Sequence, residues 1–242
     1  MTSTASVTAP SLPAVRDRDV RWELAAALRT FERLGYEFGF NGHVSGRAPE
    51  FPGHYWVNPF GVSLGAVTPA DLVLVDGDGE IVPGSSPHGI NGFAGNLALH
   101  RQVPAAEVVV HLHTRHGFVW SNLGRPLDAV TTDSALVTEL QGLTTHLFGI
   151  DGGSLPVEHA VAGRRVILQQ GHGFVTLGES VGAAAFYLIA AERAAQANLA
   201  LLGVEGRPVL APEIVKRWTL TPQVARAHFE PYFTLREAEG LS

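Results

Sequence analysis

The sequence predicts an α/β fold in which a mixed, largely antiparallel sheet is covered by helices. Strand-like and helix-like segments are interspersed without the regular alternation that gives parallel βαβ units. The Asp-Gly-Asp-Gly turn at 76–79 lies between two short apolar runs and is a strong hairpin signal. The Ala- and Leu-rich segment 180–202 indicates a helix that is buried on most sides. One face of this helix should cover the sheet, and the remainder is expected near a subunit contact.

Composition and charge narrow the class of protein. With 242 residues, of which 45% are hydrophobic and 17% charged, the chain can bury one large core. The net charge of −6 and the absence of Lys or Arg runs argue against a nucleic-acid partner. No apolar run is long enough to cross a membrane, and the N-terminus lacks a signal-peptide pattern. We therefore expect a soluble, cytoplasmic protein with no nucleic-acid or membrane partner and with a small molecule as its substrate.

The first half of the chain is predicted to contain one helix and several short strands. Residues 1–16 show no periodicity and are expected to be a flexible segment before a single domain at 17–242. A helix is expected from Asp17, with Gly35 as its stop, because apolar residues recur there at helical spacing. The other predicted elements are a glycine-rich loop at 38–47 and strands at 55–57, 72–75 and 80–82.

The second half alternates between helices and strands and ends in a helical extension. The expected elements are a loop at 83–92, a helix at 93–102, a strand from 108, a helix at 134–142, a loop at 143–160, a strand pair at 165–177 and the helix at 180–202. Gly203 is a natural residue for the C-terminal cap of that last helix. A helical extension of the same domain is expected from about residue 204.

Two histidines at the end of a predicted strand are the strongest functional signal. His111 and His113 follow the apolar run 108–110 and are two residues apart. Side chains alternate along a strand, so both imidazoles leave the same face and can form half of a transition-metal site. His172, between two glycines, is the expected third ligand. The chain has 11 histidines and no cysteine, so thiolate ligands are excluded. The alternative is that these are core histidines held by ordinary hydrogen bonds.

Four ordered segments resemble the class II aldolase/adducin family. Gly42–Arg47 resembles the family's Gly-Asn-x-Ser-x-Arg loop, and His111–Thr114 resembles its His-x-His pair. Gly171–Gly173 resembles the Asn-His-Gly segment that supplies the third histidine. A further match to the family's central sheet region comprises Asn58–Gly61, Thr68–Leu72 and Asp76–Gly79. The resemblance implies an α/β/α sandwich, usually assembled as a homotetramer with the metal near a subunit interface.

Two departures from the family's aldolases bear on the reaction. Those enzymes carry a catalytic Glu shortly before the His-bearing strand, at a position that falls near Gly92 here. No Asp or Glu occurs between residues 81 and 106, and His43 replaces the loop Asn. We therefore expect no ordinary aldolase activity on phosphorylated sugars. Segments 118–121, 124–128 and 132–133 resemble a branch with adducin-like proteins and non-haem iron oxygenases of prenylated aromatic acids.

Three neutral histidines would leave a divalent ion its full charge and an open position. Such an ion can stabilise the enolate that forms when a C–C bond breaks. The sequence therefore predicts a metal-dependent lyase, of decarboxylase or retro-aldol type, acting on a small oxygenated carbonyl or hydroxy acid. Decarboxylation is the least demanding reaction because loss of carbon dioxide needs no base. The expected cofactor is one divalent metal per subunit, Zn first, with Fe(II) or Mn as alternatives.

Two other classes of function stay open at this point. The first is a mononuclear non-haem Fe(II) oxygenase acting on an organic or aromatic acid. Ordinary iron oxygenases use two histidines and one carboxylate, so an all-histidine set favours Zn. The second is a non-catalytic, adducin-like interaction module, which would have no need for three histidines.

The sequence also contains candidate catalytic and substrate-binding residues around the expected metal. His88 and His116 are the candidate catalytic residues, and His116 could also orient a metal-bound imidazole. The candidate substrate-binding residues are His43, Ser45, Ser85, Ser86, Asn91, Phe93 and Trp120. The serines could instead be turn or helix-cap residues. An apolar pocket lined by Phe93, Phe118 and Trp120 would favour an acid with a hydrophobic part.

Overall fold

The computed structural model describes residues 18–145 and 161–241. Its strands are β1 (His43–Arg47), β2 (Tyr55–Val57), β3 (Val73–Val75), β4 (Val108–Leu112), β5 (Gln141–Thr144), β6 (Val166–Gln169) and β7 (Gly173–Gly178). They form one seven-stranded sheet in the order β3-β2-β1-β4-β7-β6-β5. β5 and β6 pair in parallel, and the other neighbours are antiparallel. The predicted mixed, largely antiparallel sheet is confirmed.

Helices cover both faces of this sheet. They are α1 (Val20–Arg33), α2 (Ala94–Gln102), α3 (Arg115–Ser121), α4 (Thr132–Thr138), α5 (Val181–Ala200), α6 (Pro212–Trp218) and α7 (Pro222–Ala238), with a 3-10 turn at Pro69–Asp71. The larger apolar core lies between the sheet and α1, α5 and α7. Smaller clusters lie between the sheet and α2. The layers are those of the expected α/β/α sandwich. None of the helices described is long and apolar enough to cross a membrane.

Strand β4 shows how the two faces are built. Val108, Val110 and Leu112 are buried in the larger core, whereas Val109 packs in the cluster under α2. The alternation follows from the two-residue period of a strand, which sends successive side chains to opposite faces. His111 therefore leaves the sheet on the α2 face, at the end of the central strand.

The two best-predicted helices have clear start signals. The Asp19 carboxylate accepts a hydrogen bond from the Arg21 N–H, so α1 starts at Val20 rather than at Asp17. Ser180 accepts from the Ala183 N–H and starts α5. The face of α5 that was expected near a subunit contact is covered by α7 of the same chain. A Cβ at Gly182 would lie only 3.3 Å from the Phe233 ring.

Three local predictions are corrected by the pairing of strands, and one helix was not expected. The loop at 38–47 ends at Gly42, because 43–47 pair with both β2 and β4 as strand β1. The helix at 134–142 ends at Thr138, and 141–144 form strand β5 beside β6. Residues 80–82 make only a single bridge, between Val75 and Ile81. Helix α3 was not predicted at all.

Some predictions fall on residues that the structure does not describe. The flexible segment expected at 1–16 and most of the loop expected at 143–160 lie outside the described residues.

Candidate metal centre

His111 is held in one orientation by the strand beside it. β4 pairs with β7 so that Leu112 lies opposite Phe174. The Nδ1 atom of His111 lies 2.9 Å from the carbonyl oxygen of Phe174. A carbonyl can only accept, so Nδ1 carries the proton and Nε2 has a free lone pair. That Nε2 atom is buried and has no hydrogen-bond partner among the described residues.

His113 and His172 complete a cluster with His111. His172 occupies the turn between β6 and β7, where the flanking glycines have φ angles of +77° and +101°. Those angles suit glycine, which has no Cβ to clash. The ring centroid of His172 lies 4.7 Å from that of His111 and 4.8 Å from that of His113. Potential ligand atoms of all three residues lie within 4.8 Å of one another.

The chemistry of these three rings fits a divalent ion. Burial, together with the neighbouring histidines, lowers the pKa of His111 to about 3 and that of His113 to about 4. Burial also lowers the pKa of His172. The rings are therefore neutral near pH 7, the form that binds a metal. A buried acceptor without a donor is costly unless something fills the position. The orphaned Nε2 of His111 is consistent with a bound cation.

A fourth histidine, His43, lies beside the cluster. It is opposite His111 in the β1–β4 register, and the two rings are nearly parallel with centroids 6.0 Å apart. Its Nδ1 donates to the carbonyl oxygen of Gly92 over 3.0 Å. Burial lowers the pKa of His43. Gly92 has φ of +79°, and a Cβ built there would lie 3.7 Å from the His43 ring. The position expected for the family's Glu therefore faces a histidine here.

An apolar pocket of about 210 Å³ opens next to His113. Its walls are formed by Phe38, His113, Thr114, Arg115 and Phe118. The Phe118 ring packs against His113 with centroids 5.1 Å apart. Phe38 is 67% exposed although it is large and apolar. His113 and Phe118 were named as site candidates from the sequence, whereas Phe38, Thr114 and Arg115 were not. Only their nearness to the His pair or the glycine-rich loop could have indicated them.

A buried carboxylate from α5 anchors α3, which carries part of this pocket. Glu192 accepts hydrogen bonds from the backbone N–H groups of His116 and Gly117, over 2.8 and 2.7 Å. Its Oε1 also lies 2.7 Å from Nδ1 of His116. A negative charge is favourable at these free N–H groups. His116 thus forms hydrogen bonds with Glu192. This contact was not predicted from the sequence, because the two residues are far apart in the chain.

Three predicted substrate-binding residues are corrected to core residues. Ser45 is fully buried beneath α2, where its Oγ lies 2.9 Å from both His100 Nε2 and Asn96 Nδ2. Phe93 packs against Tyr55 in the cluster under α2. Trp120 is fully buried, and its Nε1 donates to the carbonyl of Arg125. None of the three forms a wall of the pocket, because each side chain faces a packed layer.

The predicted residues of the 83–92 loop divide between two places. His88 Nε2 lies 3.2 Å from an Asp71 carboxylate oxygen, and the Ser86 hydroxyl donates to the Asp71 carbonyl. Ser85 is bonded to the backbone of Leu74. These three residues stabilise the loop and do not join the histidine cluster or the pocket. Asn91 donates to the carbonyl of Phe40, next to the Gly92–His43 contact.

Fold and site together define a class II aldolase-like protein, and comparison with known sequences agrees. The profile of the family "Class II Aldolase and Adducin N-terminal domain" matches residues 22–199. The chain belongs to this family. Its aldolases depend on a divalent metal, and its enzymes act on small molecules and are commonly oligomeric.

Three relatives show the range of proteins similar to this chain. The Meiotically up-regulated gene 14 protein of Schizosaccharomyces pombe is 36% identical over 73% of this chain and 70% of its own. Decarboxylase NovR of Streptomyces niveus is 33% identical, with coverages of 83% and 76%. The 4-hydroxy-3-prenylphenylpyruvate oxygenase/4-hydroxy-3-prenylbenzoate synthase of Streptomyces roseochromogenus subsp. oscitans is 31% identical, with coverages of 90% and 81%.

Solved structures give the same fold. The L-fuculose 1-phosphate aldolase of Glaciozyma antarctica PI12 superposes with a TM-score of 0.83 and 26% identity, covering 96% of this chain and 94% of its own. An aldolase II superfamily protein of Pseudomonas syringae has a TM-score of 0.80 and 25% identity, with coverages of 94% and 96%.

Proposed function

We propose that this protein is a metal-dependent lyase that cleaves a C–C bond in a small oxygenated carbonyl or hydroxy acid, by decarboxylation or by a retro-aldol reaction. His111, His113 and His172 hold one divalent ion per subunit in this proposal. The observation that carries it is the buried Nε2 of His111, which has no partner within 18–145 and 161–241 and belongs to a compact cluster of three histidines beside an apolar pocket.

Zn is the first choice of metal, with Fe(II) or Mn as alternatives. Three neutral imidazoles suit Zn and leave a position open for substrate. When bound, such an ion polarises a substrate carbonyl or hydroxyl oxygen and stabilises the charge that develops as the C–C bond breaks.

The residues of the chain contribute orientation and an apolar surrounding. The Phe174 carbonyl holds the His111 ring so that Nε2 faces the other two histidines. His43 has used Nδ1 on Gly92, so its Nε2 can accept a hydrogen bond from a substrate hydroxyl. Phe38 and Phe118 offer apolar walls to the rest of the substrate. No carboxylate lines the pocket among the described residues, which favours decarboxylation because that reaction needs no base to start.

The test combines metal analysis with turnover. Protein purified without added metal is analysed for metal content, then assayed on aromatic and aliphatic β-keto and hydroxy acids before and after chelation. We expect chelator-sensitive carbon dioxide or aldehyde release and one ion per chain, lost in His111→Ala, His113→Ala and His172→Ala. His54→Ala is the matched control, because it removes an imidazole outside the cluster that contacts the Pro52 carbonyl and the Phe51 ring. Full metal occupancy in a triad variant would remove that residue from the site.

An Fe(II) oxygenase is the second candidate. The similarity to the Streptomyces roseochromogenus oxygenase/synthase over 90% of this chain favours it. Oxygen consumption that depends on added Fe(II) and on an aryl keto acid would select this reaction. Anaerobic turnover with Zn would select the lyase. If no metal binds and no chelator-sensitive activity exists, the adducin-like interaction module replaces both.

A homotetramer in the cytoplasm completes the proposal. Phe40 and Phe60 are exposed, and their rings lie 5.0 Å apart near the loop that bears Phe38. An exposed aromatic patch of this kind is typical of a surface that another subunit covers. Light scattering at micromolar concentration tests the assembly, and a strict monomer would exclude it.

A further inference from the structure

Arg115 stands apart from nearly every other arginine in the described residues. It is exposed at the first position of α3 and forms no ion pair or hydrogen bond with any described residue. The other arginines, Arg217 excepted, all have such a partner. Arg217 lies on α6 and is not part of the pocket.

Arg115 is one of the residues that line the pocket beside the histidine cluster. It forms one wall of the pocket that Phe38, Thr114 and Phe118 share with His113. The lining surface of the pocket is almost entirely apolar, so Arg115 contributes mainly the apolar stem of its side chain, and its exposed guanidinium is left for a ligand that occupies the pocket beside the candidate metal ligand His113. A guanidinium beside apolar surface is suited to a carboxylate, which it can bind through two parallel hydrogen bonds.

We propose that Arg115 binds the carboxylate of an acid whose apolar part rests on Phe38 and Phe118. This inference rests on the proposed function and deepens it by naming the class of substrate and the residue that selects it. A phosphate is a weaker match, because a dianion needs several donors and Arg115 is the only cationic side chain in the described pocket wall.

The orientation of the substrate follows from the same arrangement. Arg115 immediately follows the His113–Thr114 pair, so the carboxylate is anchored close to the histidine cluster. With the acid group held there, the apolar part of the molecule lies along Phe38, which would otherwise present a large apolar surface to water.

Binding of matched probes to the metal-loaded protein tests this assignment. 3-Phenylpropanoate and its neutral amide, 3-phenylpropanamide, have the same shape and differ in charge. Calorimetry should show the acid binding about five- to tenfold more tightly, the range for a charge-assisted hydrogen bond at a partly exposed site. Arg115→Gln should abolish this preference and leave amide binding unchanged. Arg115→Lys should restore part of it, and Arg217→Gln should retain all of it.

Several outcomes would overturn the proposal. One is an acid preference that survives in Arg115→Gln, which would place the carboxylate on the metal. Another is that neither probe binds to the wild type. Tighter binding of glycerol 3-phosphate than of 3-phenylpropanoate would also overturn it. Because the readout is binding, absence of C–C cleavage would remove the proposed function alone and leave the role of Arg115 standing. Arg115 has no partner to lose among the described residues, so its variants should melt like the wild type.

Discussion

His111 and His100 are two buried histidines on the α2 face of the same sheet, and they differ in the hydrogen bonding of their Nε2 atoms. Each donates its Nδ1 proton to a backbone carbonyl, of Phe174 and Ala106 respectively. Burial lowers the pKa of both, to about 3 and about 4. The Nε2 of His100, however, is bonded to the Ser45 hydroxyl, whereas that of His111 has no partner in the described residues.

This difference separates a packing histidine from a candidate ligand. Burial and a low pKa occur in both residues, so neither property by itself indicates a metal site. The second ring nitrogen distinguishes the two residues, because burying an acceptor without a donor is costly and a ligand bound there would offset that cost.

His111→Ala should cause the largest loss of function. Removing a ligand should lower metal affinity by more than the roughly 10- to 100-fold that follows loss of a partner behind a ligand. Metal content per folded chain, measured after dialysis against a weak chelator, checks this result. Circular dichroism should show that the variant is folded. If the variant binds metal like the wild type, the contrast between the two histidines fails.

His100→Ala should affect stability instead of metal binding. The change removes the acceptor of the Ser45 hydroxyl, which keeps only its contact with Asn96, and the donor to the Ala106 carbonyl. It also creates a cavity beside Tyr55, whose ring centroid is 4.6 Å from that of His100. We expect a loss of about 2–4 kcal/mol in the free energy of unfolding. Urea denaturation measures it. Metal content per folded chain should stay at the wild-type level, and a drop there would contradict the purely structural role.

The acid sensitivity of folding should depend on His100. Its folded-state pKa of about 4 is below the ordinary value of 6.5, so the unfolded chain binds more protons between these values. The stability that neutral His100 contributes is therefore complete above pH 6.5 and lost as the pH falls towards 4. His100→Gln should flatten the slope of unfolding free energy over that window, by at most about 1.4 kcal/mol per pH unit. An unchanged slope would show that His100 does not titrate this way.

His116→Ala should have the smallest effect. The half-buried ring contacts Glu192, but this carboxylate keeps the N–H groups of residues 116 and 117. We expect a loss of about 1 kcal/mol or less, read from the urea midpoint, with metal content unchanged. Glu192→Ala is the companion variant. It removes all three contacts and should therefore lower the free energy of unfolding further. An equal loss in the two variants would show that the side-chain contact of His116 matters more than the two backbone contacts of Glu192.

Local rules were enough to single out the three histidines that the structure brings together as a candidate metal centre. A two-residue spacing on a strand places His111 and His113 on one face whatever surrounds them. The apolar runs and the glycines around His172 indicated a turn between two strands. The family's motifs, read in order along the chain, supplied the expected layers, and His172 was already a candidate third ligand from its position between two glycines after an apolar run. The sheet and the family were confirmed by the fold and the comparisons.

Predictions failed where a residue's surroundings come from distant segments. Phe93 and Trp120 have the composition expected of a pocket wall, but the faces they occupy pack against the sheet and against the Arg125 loop. Segment 141–144 follows a helix, but it forms strand β5 because it pairs with the edge of β6. The intrinsic preference of a short segment for helix or strand is weaker than such pairing between strands.

The sequence alone determined the periodicity of the elements, the paired histidines and the lack of an acidic residue between 81 and 106. Tertiary structure decided which histidine nitrogen has no partner in the described part of the chain and that His43 bonds to Gly92. It also decided that Arg115 lies at the pocket with no hydrogen bond or ion pair to any described residue. The physical reason is that spacing along one strand sets only the direction of a side chain. Hydrogen bonding and burial depend on atoms that other strands and helices bring to it.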